Sequence, residues 1–508
     1  MSALGSGRTQ GSPLRALRLV AALLGASLVL HGGASAEPLG SIKLPEVIPP
    51  VSTDNLFPSL LEPLPHGGSW AAEGHRPLGV HLDNYNLTQT QIEAAQRTGC
   101  RLVRLAIPME RFLAEAEPDW AVLDQVVSRL ERAGLEVLPV LTARVAIPEF
   151  YREFCSAVAS RYCETFTYYQ LLDNINYKIG LDSRGYADLL ASVRTAIVLA
   201  DADAVIVSGG IRGADLTYLE MLLQQGALNS LDVLAFNLYP PRDGVERAPS
   251  ALRPEHSLPY MQDVILWAKQ QGKRVWVTSL GVSTDYTWVG VDQVAQASIY
   301  ARSALYLGWM GVERIIFAAI QDSDPDYRIP SRCCGLLDVF GTPKASFYAL
   351  QALNRSVEGA YHVVPPFLFQ GHTYNKPSAA DLLAATEQLV ERMRGTELLN
   401  ASDMDALPEF RIHELTIYAF WFFAPSEQEY RLIYWLEADQ AYPTLVTLLI
   451  GAMGDFALRP IERYFLLDNA PSPVNHGFAK NMIFLPYQPV DTIPGVIRFK
   501  VQGNGSSG

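Results

Sequence analysis

The chain has 508 residues, of which 49% are hydrophobic and 18% charged, enough for one large domain and a smaller one. Its formal charge of −13 excludes the basic footprint of a nucleic-acid binder and a generally cationic membrane-binding surface. Small molecules, glycans and proteins remain as partners.

Near the N-terminus, Arg15 and Arg18 precede an apolar run from Leu19 to Leu30, and Ala34-Ser35-Ala36 follows as a small-residue cleavage pattern. This predicts a signal peptide over 1–36 and a secreted or periplasmic mature chain, or an N-terminal membrane anchor if the signal stays uncleaved. The run falls short of the ~20 residues of a transmembrane helix. Tyr442–Met453 is also apolar, but it is short and carries Pro443, Thr444, Thr447 and Gly451, so it reads as a core strand. No transmembrane span is expected in the mature chain. Residues 37–76 are rich in Pro, Gly and Ser without a sustained period, as in a linker or strap.

From residue 77 to 358, strand-like and helix-like segments alternate. Strands are predicted at Leu78–Leu82, Leu102–Ile107, Glu136–Leu141, Thr165–Leu172, Ala204–Ser208, Val233–Leu238, Arg274–Ser279 and Arg314–Ile320. Helices are predicted at Thr88–Thr98, Trp120–Ala133, Pro148–Tyr162, Tyr186–Ala200, Leu216–Gln225, Pro259–Gln271, Asp292–Leu307 and Thr342–Asn354. Eight such units are the content of an α/β (β/α)8 TIM barrel. A doubly wound sheet is the alternative, but no G-x-G-x-x-G follows the first strand. Residues 359–502 read as a smaller β-sandwich-like domain with one helix, Ser378–Arg394. Its strands are expected at Leu415–Phe423, Tyr430–Leu436, Thr444–Ile450, Tyr464–Leu467, Asn481–Pro486 and Gly495–Val501. Its aromatics read as sandwich core, and 503–508 as a disordered tail.

Five cysteines leave an odd thiol. On one helix Cys155 and Cys163 would stand about 12 Å apart, too far to bridge unless a turn intervenes. Cys333 and Cys334 are adjacent, where a vicinal disulfide would be strained, so free thiols are expected for most. No C-x-x-C occurs, and His81, His256 and His413 lack ligand spacing. Neither metal nor cofactor is expected.

A barrel presents its chemistry at the C-terminal ends of its strands. Those ends carry Asp83, Asn84 and Tyr85, then Arg104, then Asp173-Asn174-Ile175-Asn176-Tyr177, Asn237-Leu238-Tyr239, Ser279, and Gln321-Asp322-Ser323-Asp324. Amides, hydroxyls and aromatics suit sugar hydroxyls and sugar faces, so carbohydrate is the expected ligand class. Arg104 reads either as a barrel-floor ion pair or as an orienter beneath the ligand.

Several stretches resemble the retaining glycoside hydrolases of the large (β/α)8 clan that includes cellulases, β-xylosidases and exopolysaccharide hydrolases. Gly79-Val80-His81, Arg104 and Arg161-Tyr162 match its frame. Tyr169 through Asn176 resembles the clan's Tyr-Glu-Ile-Trp-Asn-Glu-Pro-Asn, and Asp232–Tyr239 its Asp-Val-Val-Ser-X-His-X-Tyr. Val275–Thr284 resembles Trp-Val-Thr-Glu-Phe-Gly, and Gly335–Lys344 resembles Gly-Leu-Leu-Asp…Gly-X-Pro-Lys. The resemblance implies an acid/base at Asn174, a nucleophile at Ser279, and a sugar contact at Asp173 in place of the clan's Asn.

Neither catalytic position holds a carboxylate here. An amide cannot protonate a leaving oxygen, and a serine without a base is a poor substitute for a nucleophilic carboxylate. The expectation is therefore an exported, catalytically degenerate barrel. It would bind a carbohydrate or a cell-envelope protein through Asp83, Arg104, Asp173, Asn174, Asn237, Tyr239, Ser279 and Asp322. One alternative is an active hydrolase using other carboxylates, such as Asp285 and Asp322 as an inverting pair. Another is a structural component of a polysaccharide or envelope assembly.

Overall fold

The computed structural model describes residues 77–82, 87–113, 120–177, 181–240, 256, 258–287, 290–363, 367–374, 412–413, 417–436, 444–452, 457–467, 471–474, 477–479, 482–490 and 493–502. The expected signal, strap, Ser378–Arg394 helix and tail lie outside these residues, as does Asp83.

Eight parallel strands close into a barrel: β1 (Leu78–Leu82), β2 (Leu102–Pro108), β3 (Glu136–Thr142), β4 (Tyr168–Leu171), β5 (Val205–Val207), β6 (Val233–Leu238), β7 (Arg274–Leu280) and β8 (Arg314–Phe317). Each pairs with the next, Val207 opposite Val233 joins the halves, and Gly79 opposite Ile316 closes the ring. The helices that alternate with them are α1 (Gln89–Arg97), α2 (Ala121–Arg132), α3 (Pro148–Tyr162), α4 (Ser183–Ala200), α5 (Leu216–Gln224), α6 (Leu258–Gln270), α7 (Gln293–Met310) and α8 (Ala345–Val357), and a short helix, Met109–Leu113, follows β2.

Local chemistry explains the boundaries. Thr88 and Gln91 cap α1 reciprocally, Asp182 caps α4 and Asp292 caps α7 through Ala295 N–H, each satisfying amides that no helical carbonyl reaches. Pro148 opens α3 at the position where its missing N–H costs nothing. Strand 8 is shorter than expected. After Phe317 the chain leaves the barrel, and Ala319–Gln321 pairs instead with Gly335–Leu337.

Strand alternation sorts the core into two shells. Val80, Val103, Val137, Phe236, Val277 and Ile315 face the helices. Leu102, Leu138, Val207, Val233, Ala235, Trp276 and Ile316 fill the lower lumen. Trp276 plugs that lumen: its ring meets Tyr168 edge-on at 4.8 Å, and its N–H donates to Glu313. The Arg274 and Arg314 guanidinium groups lie 5.7 and 5.9 Å from the same ring. The lower barrel is therefore filled with side chains.

After the barrel, the described residues form two antiparallel sheets of six and five strands, consistent with the expected sandwich-like domain. The six-stranded sheet packs on the barrel. Phe420 stacks on Trp435 and meets Tyr306 and Trp309 of α7. Arg431 donates to the Ser356 and Glu358 carbonyls at the end of α8, and Tyr464 shares a hydrogen bond with Ser356. Covered on both sides, α7 buries even Ser298, Arg302 and Ser303.

Among the described residues, all five cysteines are free thiols. Cys155 lies inside α3 while Cys163 stands exposed at its end, so the turn that would bring them together does not occur. No helix there is long and apolar enough to cross a membrane.

Candidate functional site

Above the Trp276 plug the lumen turns polar. His81, Arg104, Gln170, Asn237 and Thr278 continue the inward-facing rows. Arg104 is the keystone. Its Nε donates to Gln170 Oε1 at 3.1 Å, its carbonyl meets His81 Nδ1 at 3.0 Å, and its Nη2 lies 2.9 Å from Asp173 Oδ1. Arg104 makes an ion pair, as one of its two readings has it, but with Asp173 above the Trp276 plug, while Arg274 and Arg314 lie by the Trp276 ring below. His81 lies in the lumen against the Arg104 backbone.

Asp173 receives a second bond from Asn237 Nδ2 at 2.9 Å. The same amide nitrogen also reaches Asn174 Oδ1 at 3.2 Å, while Asn174 Nδ2 donates to Asp173 Oδ2. Thr278 Oγ1 donates to Asn237 Oδ1 at 3.2 Å and fixes the orientation of that amide. This network requires a close approach at Gly210, where a Cβ would lie 2.5 Å from both Asn237 Nδ2 and Asp173 Oδ1. Leu172 and Asn174 have φ of 67° and 52°, a left-handed conformation costly for residues with a Cβ. The chain holds Asp173 between two such residues, a local cost that the surrounding network offsets.

Ser279 reaches the cleft through a β-bulge. Phe236 pairs with Val277 but Asn237 with Ser279, and Val277 pairs with Ile315 but Leu280 with Phe317. Both neighbours of β7 thus count one extra residue at Thr278–Ser279. The extra residue re-aims the strand, so that Thr278 and Ser279 both serve the Asn237 side. Tyr239 completes this wall. Burial pushes its hydroxyl above the usual phenol range, and a hydrogen bond with Ser279 partly offsets that. Gly281 makes room for the ring, since a Cβ there would stand 2.7 Å from Tyr239 Cδ1.

The structure therefore joins Arg104, Asp173, Asn174 and Asn237 in one network and sets Ser279 with Tyr239 beside it. Asp322 stands apart. Its side chain is 0% exposed, Oδ2 lies 3.0 Å from Lys344 Nζ, and Oδ1 accepts from Gly335 N–H at 2.6 Å. Burial pushes its carboxyl up against the opposing charge of Lys344, and burial likewise lowers the Lys344 ammonium. Asp322 is a strut of the cleft wall, and its carboxylate is not presented to the cleft. Asp285 is similarly engaged. Its oxygens accept from Ser283 Oγ and Thr287 N–H at 2.5 and 2.6 Å. Burial would raise its carboxyl, but those bonds outweigh it and hold it below the usual range.

Gly210 carries no signal in the sequence, and Gln170, Thr278 and Lys344 stand within the resembling stretches without an assigned role. Thr278 adjoins Ser279, but the bulge that makes both residues useful leaves no compositional signature. Among the described residues, no group of acidic, histidine and cysteine side chains could hold a metal.

No protein-family model and no curated protein matches the sequence. Solved structures do match. A family 39 glycoside hydrolase from Bacteroides cellulosilyticus WH2 superposes with a TM-score of 0.58 at 16% identity, over 84% of this chain and 81% of that one. A glucosidase from Croceicoccus marinus gives 0.53 at 12%, over 87% and 97%. The family 30 subfamily 8 xylanase Xyn30A from Clostridium acetobutylicum gives 0.53 at 11%, over 84% and 96%. The barrel region makes up just over half of the chain, so the likeness extends into the C-terminal sheets. The fold is that of the family 39 and family 30 glycoside hydrolases.

Proposed function

We propose that this chain is an exported, catalytically degenerate glycosidase-like protein that binds a carbohydrate in the upper barrel. One observation carries the reading: the two positions implied for catalysis flank Asn237, and they hold an amide and a hydroxyl. Asn174 touches the Asn237 side chain, and Ser279 is its register partner on β7. A retaining mechanism needs two carboxyl groups about 5–5.5 Å apart in such a place. Around Asn237 the described residues supply one carboxylate, Asp173, and it is engaged by Arg104 and Asn237. An ion-paired carboxylate flanked by amides is an acceptor for sugar hydroxyls. The glycosidase fold of the structural relatives supports a carbohydrate as ligand, and the Arg15–Ala36 pattern supports export.

Hydrolysis by substitute carboxylates finds little support in the geometry, because Asp285 and Asp322 spend their oxygens within the wall. A purely structural role in an envelope assembly would leave the network without purpose, although its strained backbone has a cost. The test uses the full chain on a glycan array and against a panel of aryl glycosides and polysaccharides. Saturable glycan binding without turnover is expected. Turnover at ordinary enzymatic rates would refute degeneracy, and absence of any binding would refute the pocket. Restoring both carboxylates, Asn174→Glu with Ser279→Glu, should produce weak hydrolysis of whichever glycan binds.

A further inference from the structure

Past β5 the chain makes a short strand, Ile211–Arg212, that pairs in parallel with β6. Ile211 stands opposite Phe236 and Arg212 opposite Asn237. Ile211 and Phe236 both belong to the outer apolar shell, so alternation turns Arg212 to the side of Asn237, toward the mouth of the barrel. Two devices hold it there. Asn176 accepts from Arg212 N–H at 2.8 Å and donates to its carbonyl at 3.1 Å. Gly213, at φ 74°, then turns the chain so that its N–H bonds the Asn237 carbonyl. The guanidinium lies 4.7 Å over the ring of Tyr177, three residues after Asn174 in the same loop.

The two arginines of the cleft differ in one respect. Arg104 is neutralised by Asp173. Arg212 has no carboxylate within ion-pair distance among the described residues. The nearby Asp215 is occupied by Asn176 Nδ2 and by Tyr218 N–H at the start of α5. An arginine fixed through its backbone, stacked on an aromatic ring and met by no carboxylate among the described residues has its planar donor fork open to a ligand.

We propose that the cleft takes an acidic saccharide, one bearing uronate carboxylates, and that Arg212 pairs with the carboxylate while Tyr177 backs the guanidinium. This deepens the carbohydrate-binding reading and rests on it. The neutral hydroxyls of the sugar fall to Asp173, Asn174 and Asn237, and the charge falls to Arg212. Because the overall charge of the protein opposes an anionic ligand, the contact must be short-ranged and sensitive to salt.

The test measures the full chain by titration calorimetry against glucuronate, galacturonate and mannuronate oligosaccharides. Each is compared with its carboxyl-reduced counterpart and with a sulfated neutral oligosaccharide. The expected result is binding of at least one uronate oligomer roughly ten-fold or more tighter than its reduced form, a preference that weakens as salt is added. Arg212→Gln should abolish the preference without altering the melting temperature. Arg212→Lys should restore only part of it, since an ammonium lacks the fork and stacks less well. Equal affinity for acidic and neutral forms, preference for the sulfate ester, or a preference that survives Arg212→Gln would overturn the inference while leaving the carbohydrate-binding reading intact. Binding of no saccharide at all would overturn both.

Discussion

Two ion pairs stand a few strands apart in this barrel, and they do different work. Asp322–Lys344 is sealed, its side chains 0% and 2% exposed. Arg104–Asp173 lies at the base of the cleft with Arg104 5% and Asp173 25% exposed. Sealing matters because desolvation of two charges can exceed their attraction. Burial pushes Asp322 up and Lys344 down, so both members of the sealed pair lean toward their neutral forms. The cleft pair keeps one face toward solvent, where a ligand hydroxyl can replace water. One pair is therefore sealed within the wall, and the other keeps its carboxylate partly open to solvent.

Breaking the sealed pair should give the largest effect. Lys344→Met leaves the Asp322 carboxylate buried without its counter-charge and without the Thr284 contact of Lys344. It should destabilise the fold by about 3–5 kcal/mol in chemical denaturation, whereas Lys344→Met with Asp322→Leu should recover most of that loss. A double variant as unstable as the single would mean that the wall depends on the charges themselves.

The cleft pair is probed by Gly210→Ala. The added methyl would collide with Asn237 and Asp173, costing about 1–3 kcal/mol from overpacking and removing glycan binding. Retained affinity would show that the Asp173–Asn237 geometry does not matter to the ligand.

Asp285 is fixed by hydrogen bonds from Ser283 and Thr287. Its carboxyl is held below the ordinary 3.8, so its contribution is complete above that value and disappears as pH falls through the depressed one. Asp285→Asn should cost about 1–2 kcal/mol at neutral pH, and the gap to the unmodified chain should close in acid. A gap independent of pH would refute the assignment.

Tyr286→Ala should have the smallest effect. The ring is 82% exposed and touches Tyr327, so its loss should change stability by less than about 0.5 kcal/mol in a thermal melt.

The alternation of buried strands and amphipathic helices was legible in the sequence because periodicity is a local property. It placed all eight barrel strands, and Pro148–Tyr162 matches α3 end to end. Where local patterning competes with a neighbour, the reading slipped. Arg314–Ile320 looks like one strand, yet its last part is drawn to Gly335–Leu337. Thr165–Leu172 looks like a longer strand than Tyr168–Leu171, because turn residues that lead into a strand share its composition.

For the site, the sequence by itself determined which residue types stand at the strand ends, including the absence of carboxylates at 174 and 279. Residue identity is fixed by the chain and needs no fold to be read. Only the tertiary structure decided their roles. Asp322 was expected at the ligand and is instead locked to Lys344, 22 residues further on. Arg212 was not singled out, and among the described residues no carboxylate stands within ion-pair distance of it. Ser279 owes its place beside Asn237 to one extra residue in β7. In each case the deciding partner lies on another element, and whether a charge is met or left open is set by what the folded chain brings within a few ångströms of it.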